Sequence, residues 1–433
     1  MKSDSSAHSD APRKLPRIAY LTGNFPEVSL TFILREIEAL RALGADVLTC
    51  AIRQTPVEQH PGPSEKNAAA STFYVLRAAR NPKTFLAAQA RLFRNPSRYW
   101  SAFKLAFATR APGVRAHLLQ FAYFFEATVL AQHLEDEEVD AIHNHFIGGS
   151  ATVSMLASEL TGIPYSFTLH GPADLFEPKR WALREKTKRA RFVSTISFFA
   201  RSQLMFLSDP SDWHKIRIIH CGIDPAAYTP KQQEGKQKQL RLMFVGRLAP
   251  VKGIDILLEA MKALISEHPT IGLKIVGDGP ERTRLEQVAA PLADHVEFVG
   301  YKSQAEVAQM MSETDIFVLP SFAEGVPVVL MEAMASGVPV VATAVAGVAE
   351  LVEDGKHGRI VRPGDPAPLI EAISDLAGDD ALRAQMGAAG RAKVIDDFDI
   401  HAEAGRLLEL FTNEVVDNDR VDASPRPPRR ADL

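Results

Sequence analysis

Two cysteines, Cys50 and Cys221, are the only thiols in this chain of 433 residues. So few cannot build a disulfide scaffold or a Cys-based zinc site, and they point to a reducing cytoplasmic compartment. No apolar run reaches the roughly 18–20 residues of a membrane-spanning helix. The first residues, Met1 to Pro16, are polar and lack the apolar core of a signal peptide. We expect residues 1–16 to be a disordered tail. Residues 416–433 are rich in Ser, Pro, Arg and Asp without periodicity and are expected to be another. Asp417-Asn418-Asp419 falls in that second tail, where a metal site has no scaffold. Net charge is -4, so nothing draws the whole chain towards nucleic acid. The turn after the first predicted strand is not a G-x-G-x-x-G, which leaves the dinucleotide signal weak.

What is present begins with length and apolar content. At 433 residues and 46% hydrophobic, two domains with large cores are the natural expectation. The chain is organised around Ser321 to Gly337. Apolar runs flank this stretch, Asp315–Leu319 before it and Val338–Ala342 after it. Pro327 suits the first position of a helix and Gly337 the position just past its end. The unit reads as strand, loop, short helix, strand, which belongs in a parallel sheet. Glu324 lies in the loop. Glu332 lies about five residues into the helix, roughly 7–8 Å along its axis at about 1.5 Å per residue. Between them Gly325 and Val326 offer backbone N–H groups at a helix N-terminus, where a phosphate is favoured. A ligand with hydroxyls at both ends and phosphate between them, such as a nucleotide sugar, fits this order. Two unrelated surface acids fit it as well.

In chain order, Ile18–Leu21 reads as a strand and Gly23-Asn24-Phe25-Pro26 as its turn. A helix follows from Ser29, its N-cap, to Leu43, stopped by Gly44, and Asp46–Cys50 is the next strand. The turn puts Asn24 on the rim of a parallel sheet, where ligands bind. From Asn67 to Phe125 there is no acid at all, while Arg77, Arg80, Lys83, Arg94, Lys104 and Arg115 alternate with Phe, Tyr and Trp. Pro82, Pro96 and Pro112 divide this basic insert, about 77–117, into helices. Basic aromatic helices suit an anionic membrane surface, each cation adding on the order of 1 kcal/mol. The bland alternative is a solvated basic face packed on the domain. No RNA- or DNA-binding motif accompanies it.

Two further strands end in histidine, Asp140–Phe146 with His143 and His145, and Tyr165–Leu169 with His170-Gly171. The rim position favours His170 as a ligand contact and makes His145 a weaker, acceptor-side candidate beside Asn24. The spacing matches no zinc helix. His220-Cys221-Gly222-Ile223-Asp224-Pro225 reads as a hinge, and the polar run Lys231–Gln239 as a linker. We place the domains at 17–222 and 223–398, with a closing helix over 399–415. The second domain restarts with Leu242–Val245 and the loop Gly246-Arg247 to Lys252-Gly253, whose two cations at a helix start suit a diphosphate. Gly277-Asp278-Gly279-Pro280 and Ala346-Gly347 bring further backbone to the same rim.

These pieces in order resemble retaining glycosyltransferase family 4, of GT-B architecture. They are Gly246-Arg247 with Lys252-Gly253, Gly277-Asp278-Gly279-Pro280, Glu324-Gly325 with Pro327 and Glu332, and Ala346-Gly347. The two Glu with seven residues between them, together with the Arg/Lys clamp, are the specific part. Ser29 to Glu36, His145-Phe146 and Leu169-His170-Gly171 resemble the colanic-acid and exopolysaccharide branch. Leu30 stands where that branch often has Glu and receives no role. The likeness covers about Arg17 to Leu410.

The resemblance implies two Rossmann-like α/β domains facing across a cleft. It implies that Glu324 binds donor-sugar hydroxyls, with His170 contacting the sugar from the other domain. Gly325 and Val326 approach the donor, with Gly246, Gly277, Asp278 and Gly347 as further donor-binding positions. Glu332 holds ribose hydroxyls, and Arg247 and Lys252 neutralise the leaving diphosphate in place of a metal. No metal or other cofactor is expected. The implied activity is retaining transfer of a hexose from a UDP- or GDP-sugar to a glycan, such as a polyprenyl-diphosphate-linked acceptor at the inner membrane face. Alternatives are a soluble-acceptor glycosyltransferase, a GT-B epimerase or phosphorylase, and a non-catalytic nucleotide-sugar-binding subunit.

Overall fold

The computed structural model describes residues 15–27, 30–60, 62–230 and 239–416. The Ser29 cap, nearly all of the Lys231–Gln239 linker and most of both expected tails lie outside the described residues. The first tail is shorter than expected, because Pro16 is buried and Leu15 packs on the core. Residue 416 likewise belongs to a wide helical turn, Thr412–Val416.

The chain builds two sheets. The first contains β1 (Arg17–Phe25), β2 (Asp46–Gln54), β3 (Phe73–Tyr74), β4 (Ala141–His145), β5 (Tyr165–Leu169), β6 (Val193–Thr195) and β7 (Ile216–Ile218). Their order is β3-β2-β1-β4-β5-β6-β7. The second contains β8 (Leu240–Val245), β9 (Ile271–Val276), β10 (Val296–Gly300), β11 (Ile316–Leu319), β12 (Val340–Thr343) and β13 (Gly358–Val361), in the order β10-β9-β8-β11-β12-β13. Every recorded pairing is parallel. Strands of such sheets are covered by helices on both faces, so their central members are buried on both sides. Accordingly β5, β11 and β12 are buried at every position.

Side chains alternate along β1 and feed two cores. Ala19 and Leu21 join a cluster with Phe124, Leu130, Leu156 and Phe167. Ile18 and Tyr20 join another with Ile33 and Leu40 of the opening helix Thr31–Ala42, and with Leu407 and Phe411 of the closing helix Ile400–Phe411. The closing helix therefore returns to the first sheet. Where it does so it runs beside the earlier crossover: Ile223 N–H donates to Phe398 O at 3.0 Å, and Ile400 N–H to Ile223 O at 2.9 Å. A Cβ at Gly222 would lie 2.6 Å from the Ile400 Cα, so only glycine lets these two crossings touch.

The acid-free stretch folds as helices Val75–Ala79, Pro82–Leu92, Pro96–Ala108 and Val114–Asp136. Pro82 and Pro96 each open a helix, and Asn81 and Asn95 cap them. Its aromatics divide. Tyr99, Phe103 and Phe107 pack against the core, while Phe93, Trp100 and Phe121 are exposed. Among the described residues no helix is long and apolar enough to cross a membrane.

Candidate functional site

Strand order reverses between β1 and β4 in one sheet and between β8 and β11 in the other. Crevices at such switch points, beyond the carboxyl ends of the strands, are where open α/β sheets bind ligands. Arg247 and Lys252 follow β8, Glu324 follows β11, Asn24 ends β1 and His145 ends β4. Both sets of candidates therefore occupy switch points, and the two rims face each other.

On the second rim, Lys252 Nζ lies 2.6 Å from Glu324 Oε1, which also accepts the Ser321 hydroxyl at 2.5 Å. Arg247 is exposed, and no acidic partner is recorded for it among the described residues. Also among these residues, neither the Gly325 nor the Val326 N–H has a backbone acceptor. The helix after them runs Val328–Ala335, starting one position later than expected, with Pro327 as its N-cap, and Gly337 turns left-handed at φ 69° beyond its end. Two cations and two N–H groups without a backbone acceptor among the described residues thus lie on the loops that follow β8 and β11.

The other donor-side residues contribute shape. Gly246 N–H is used by Val276 O and Gly277 N–H by Gly300 O, so neither is free to donate. Gly277 has φ +133°, and a Cβ there would lie 2.0 Å from Gly246 O. Asp278 is half exposed, and its carboxylate accepts Gly279 N–H at 2.7 Å and pairs with Arg282 at 3.3 Å. It caps the turn. Gly347 donates to Gly325 O at 3.1 Å. Beside it Ala346 holds φ 42°, a left-handed conformation a non-glycine residue adopts only at a cost.

Glu332 is held differently. Its Oε1 lies 2.7 Å from Arg35 Nη2 of the opening helix, and accepts the Tyr228 hydroxyl at 3.0 Å. Another acid of the second unit, Glu350, accepts the N–H groups of Phe198 and Phe199 at 2.7 and 2.8 Å, capping the helix Phe198–Leu207 of the first unit. The two units also meet at backbone level. A Cβ on Gly325 would stand 2.2 Å from His170 O.

The first rim is a buried histidine network. His145 Nδ1 and His170 Nε2 lie 2.8 Å apart, and His170 Nδ1 is 3.7 Å from Cys221 Sγ. Phe32 and Phe146 flank the His170 ring at 4.8 and 4.7 Å. Burial, and then the neighbouring His145, push the His170 pKa well below the usual range, so its ring is neutral. Thus the ring nitrogens of His170 face protein, while its carbonyl meets Gly325. His143 is structural: its nitrogens lie 2.8 Å from Ser166 Oγ and 2.9 Å from Thr168 Oγ1. Glu36, His143 and His145 bring donor atoms within 4.8 Å of one another. Tyr20 already donates to Glu36 Oε1 at 2.7 Å, and three of the four ring nitrogens are engaged, so we read the cluster as a hydrogen-bond network. Asn24 is exposed at the end of β1.

Arg35, Glu36, Ser321, Tyr228 and Glu350 were given no role from the sequence. Glu36 carried a signal, because it falls three residues after Ile33 and four before Leu40, on the buried face of its helix. Nothing local marks Arg35 or Tyr228.

The comparisons with known proteins agree with this geometry. The family model for "Glycosyltransferase Family 4" matches residues 31–227, and that for "Glycosyl transferases group 1" matches residues 229–393. The amylovoran biosynthesis glycosyltransferase AmsK of Erwinia amylovora is 28% identical over 91% of this chain and 99% of its own. The putative colanic acid biosynthesis glycosyltransferase WcaL of Escherichia coli K12 is 28% identical over 91% of this chain and 100% of its own. An uncharacterized glycosyltransferase of Methanocaldococcus jannaschii is 30% identical over 64% of this chain and 77% of its own. Among solved structures, Anabaena HepE in complex with UDP shares the fold, with TM-score 0.68 and 20% identity over 92% of this chain and 100% of that one. The chain belongs to the family 4 glycosyltransferases of GT-B architecture, with relatives in exopolysaccharide biosynthesis.

Proposed function

We propose that this glycosyltransferase moves a hexose from a UDP- or GDP-sugar to a lipid-linked glycan, with retention at the anomeric carbon and without a metal. One observation carries the reading: Lys252 pairs with Glu324 at the switch point of the second sheet, with Arg247 on the same loop as Lys252 and the Gly325 and Val326 N–H groups, which have no backbone acceptor among the described residues, next to Glu324 in the chain. Breaking the anomeric bond places positive charge on the sugar and negative charge on the departing diphosphate. Prearranged cations and N–H groups aimed at that leaving charge give the largest electrostatic assistance available here. Lys252 and Arg247 supply the positive charge a divalent ion would otherwise bring. Glu324 orients sugar hydroxyls and, with the donor absent, holds Lys252 in place. Glu332 takes the ribose hydroxyls, and His170 closes the sugar pocket from the first unit. The acceptor oxygen bonds to the anomeric carbon on the face the diphosphate leaves, and a phosphate oxygen takes the acceptor proton.

The first unit supports an acceptor at an anionic membrane surface. An open pocket of about 590 Å³ between helices Pro96–Ala108 and Leu183–Arg189 is lined by Lys104, Arg110, Lys179, Arg184 and Arg189, with Glu185 as the one acid in its lining. Trp100 is exposed on Pro96–Ala108 itself, and Leu118 and Phe121 on the helix Val114–Asp136. Cations beside exposed aromatics suit phosphate headgroups over an acyl layer. On this reading the protein works in the cytoplasm, peripheral to the inner face of the membrane.

The test incubates the protein with UDP- and GDP-sugars and a polyprenyl-diphosphate-linked glycan, with and without EDTA. An EDTA-insensitive product with the donor's anomeric configuration is expected. An inverted product, or loss of turnover in EDTA, overturns the corresponding part. Flotation with anionic vesicles tests the membrane surface separately, and protein left entirely at the bottom of the gradient rules it out.

A further inference from the structure

We propose that Arg35, from across the cleft, and Tyr228, from Glu332's own unit, are positioning residues that hold Glu332, so that nucleoside binding is coupled to the approach of the two units. This rests on the reading of Glu332 as the ribose contact. Arg35 belongs to the opening helix on the first sheet, and Glu332 to the helix Val328–Ala335 of the second. Arg35 Nη2, Tyr228 OH and Glu332 Oε1 form a closed triangle, with separations of 2.7, 3.0 and 3.2 Å. The Arg35 and Glu332 side chains are only 14% and 12% exposed. Burial, and then the Glu332 charge, raise the Tyr228 pKa, so its hydroxyl stays a donor. Tyr228 is itself anchored to the second unit, because Arg391 donates to both Tyr228 O and Ala335 O.

The division of labour on the carboxylate carries the inference. Both protein donors use Oε1. Among the described residues Oε2 has no recorded partner, and it is not among the enclosed, unpaired side-chain atoms. One oxygen is therefore fixed by protein while the other stays reachable from the cleft. A ribose hydroxyl can donate to Oε2 without displacing Arg35. Arg35 Nη1, by contrast, is buried without a partner. A buried ion pair that leaves a donor unpaired is a poor source of stability and a better means of fixing geometry. Because Arg35 rides on the first unit, moving that unit away would free Glu332 to turn.

The experiment is calorimetric titration of UDP and GDP into wild type, Arg35→Ala, Arg35→Lys, Tyr228→Phe, Glu332→Gln and the Arg35→Ala/Glu332→Gln double variant, with donor kinetics alongside. Arg35→Ala should weaken nucleotide binding about tenfold or more, the scale of losing a charge-assisted hydrogen bond. Its KM for the donor should rise with little change in kcat at saturation. Arg35→Lys should recover part of the loss, since it keeps the charge without the planar fork. Tyr228→Phe should give a smaller loss of the same kind, and it serves with Arg35→Lys should Arg35→Ala not fold. In the double variant the two losses should be far from additive. Unchanged affinity, or additive losses, would overturn the inference. Tighter binding by Arg35→Ala would overturn it too, because Arg35 would then compete with ribose for Glu332. If Glu332→Gln itself leaves affinity unchanged, the ribose reading fails and the inference goes with it. If Glu332→Gln weakens binding and the Arg35 and Tyr228 variants do not, only the inference fails.

Discussion

The two rims of the cleft are built from opposite materials. The second rim carries charge in the open: Arg247 is exposed, and the Lys252 side chain keeps 20% of its surface while pairing with Glu324. The first rim is enclosed and rich in histidine. His143 and His145 are buried and His170 lies between aromatic rings, with His143 and His170 held neutral chiefly by burial. On the proposed function, a leaving diphosphate needs prearranged positive charge, whereas a sugar needs a shaped wall. That proposal would give the charge chemistry to the second unit and the shape to the first.

The largest effect should come from breaking the charged rim. Lys252→Ala should lower kcat about 10²–10³-fold, the cost of removing one donor aimed at a developing anion. Initial rates at saturating donor check this, with circular dichroism confirming the fold. If kcat stays within a few fold of wild type, the charge chemistry lies elsewhere. A smaller effect should follow from spoiling the fit between the rims. The Cβ of Gly325→Ala would stand 2.2 Å from His170 O, and backbone cannot step aside. Separating the rims by even about 1 Å misaligns the reacting atoms, and such displacements cost about 10²-fold. Donor kcat/KM should fall on that scale while free UDP binding changes much less. Equal losses in both would mean that the closeness at Gly325 serves nucleotide binding and not alignment.

The same contrast explains what could be seen in the sequence. The second rim is local. Each of its residues sits in a strand–glycine–helix unit, so Arg247, Lys252, Glu324 and Glu332 were visible with their order and spacing. Proline and asparagine also marked the helix starts at Pro82 and Pro96, because caps depend on neighbours in sequence. The first rim is not local. The roles of Glu36, His145 and His170 depend on three segments meeting, and sequence order does not rank His143 as structural until Ser166 and Thr168 appear beside its ring. Arg35 and Glu332 are separated by 297 positions. Gly246 and Gly277 were correctly placed on the rim, yet their N–H groups turn out to be spent inside the fold.

Two buried titratable groups, Lys186 and Asp174, lie beside the histidine rim, and their proton balance sharpens the comparison. Lys186 Nζ donates to the carbonyls of Ile147 and Gly148 at 2.6 and 3.1 Å, bracing the loop after β4. Burial pulls its pKa down to about 7, with the Asp174 charge acting in the opposite direction. Asp174 accepts the N–H of His170 at 3.2 Å, and burial pushes its pKa up to about 6. An unfolded lysine titrates near about 10.4, so between about pH 7 and that value the unfolded chain binds more protons than the folded one. Stability from this group therefore grows as pH rises from about 7 towards 10, with a slope of at most about 1.4 kcal/mol per pH unit. Asp174 acts oppositely, in the lower window from about pH 4 to 6, where the folded state holds the extra proton. Lys186→Met removes the titrating ammonium and keeps the length of the side chain. It also loses the two carbonyl contacts, a cost that varies little with pH. The melting-temperature difference, variant minus wild type, should therefore be more positive near about pH 7 than near about pH 9. A difference that does not change with pH would mean that Lys186 stays charged in the folded protein, and the first rim would then carry a permanent cation behind His170.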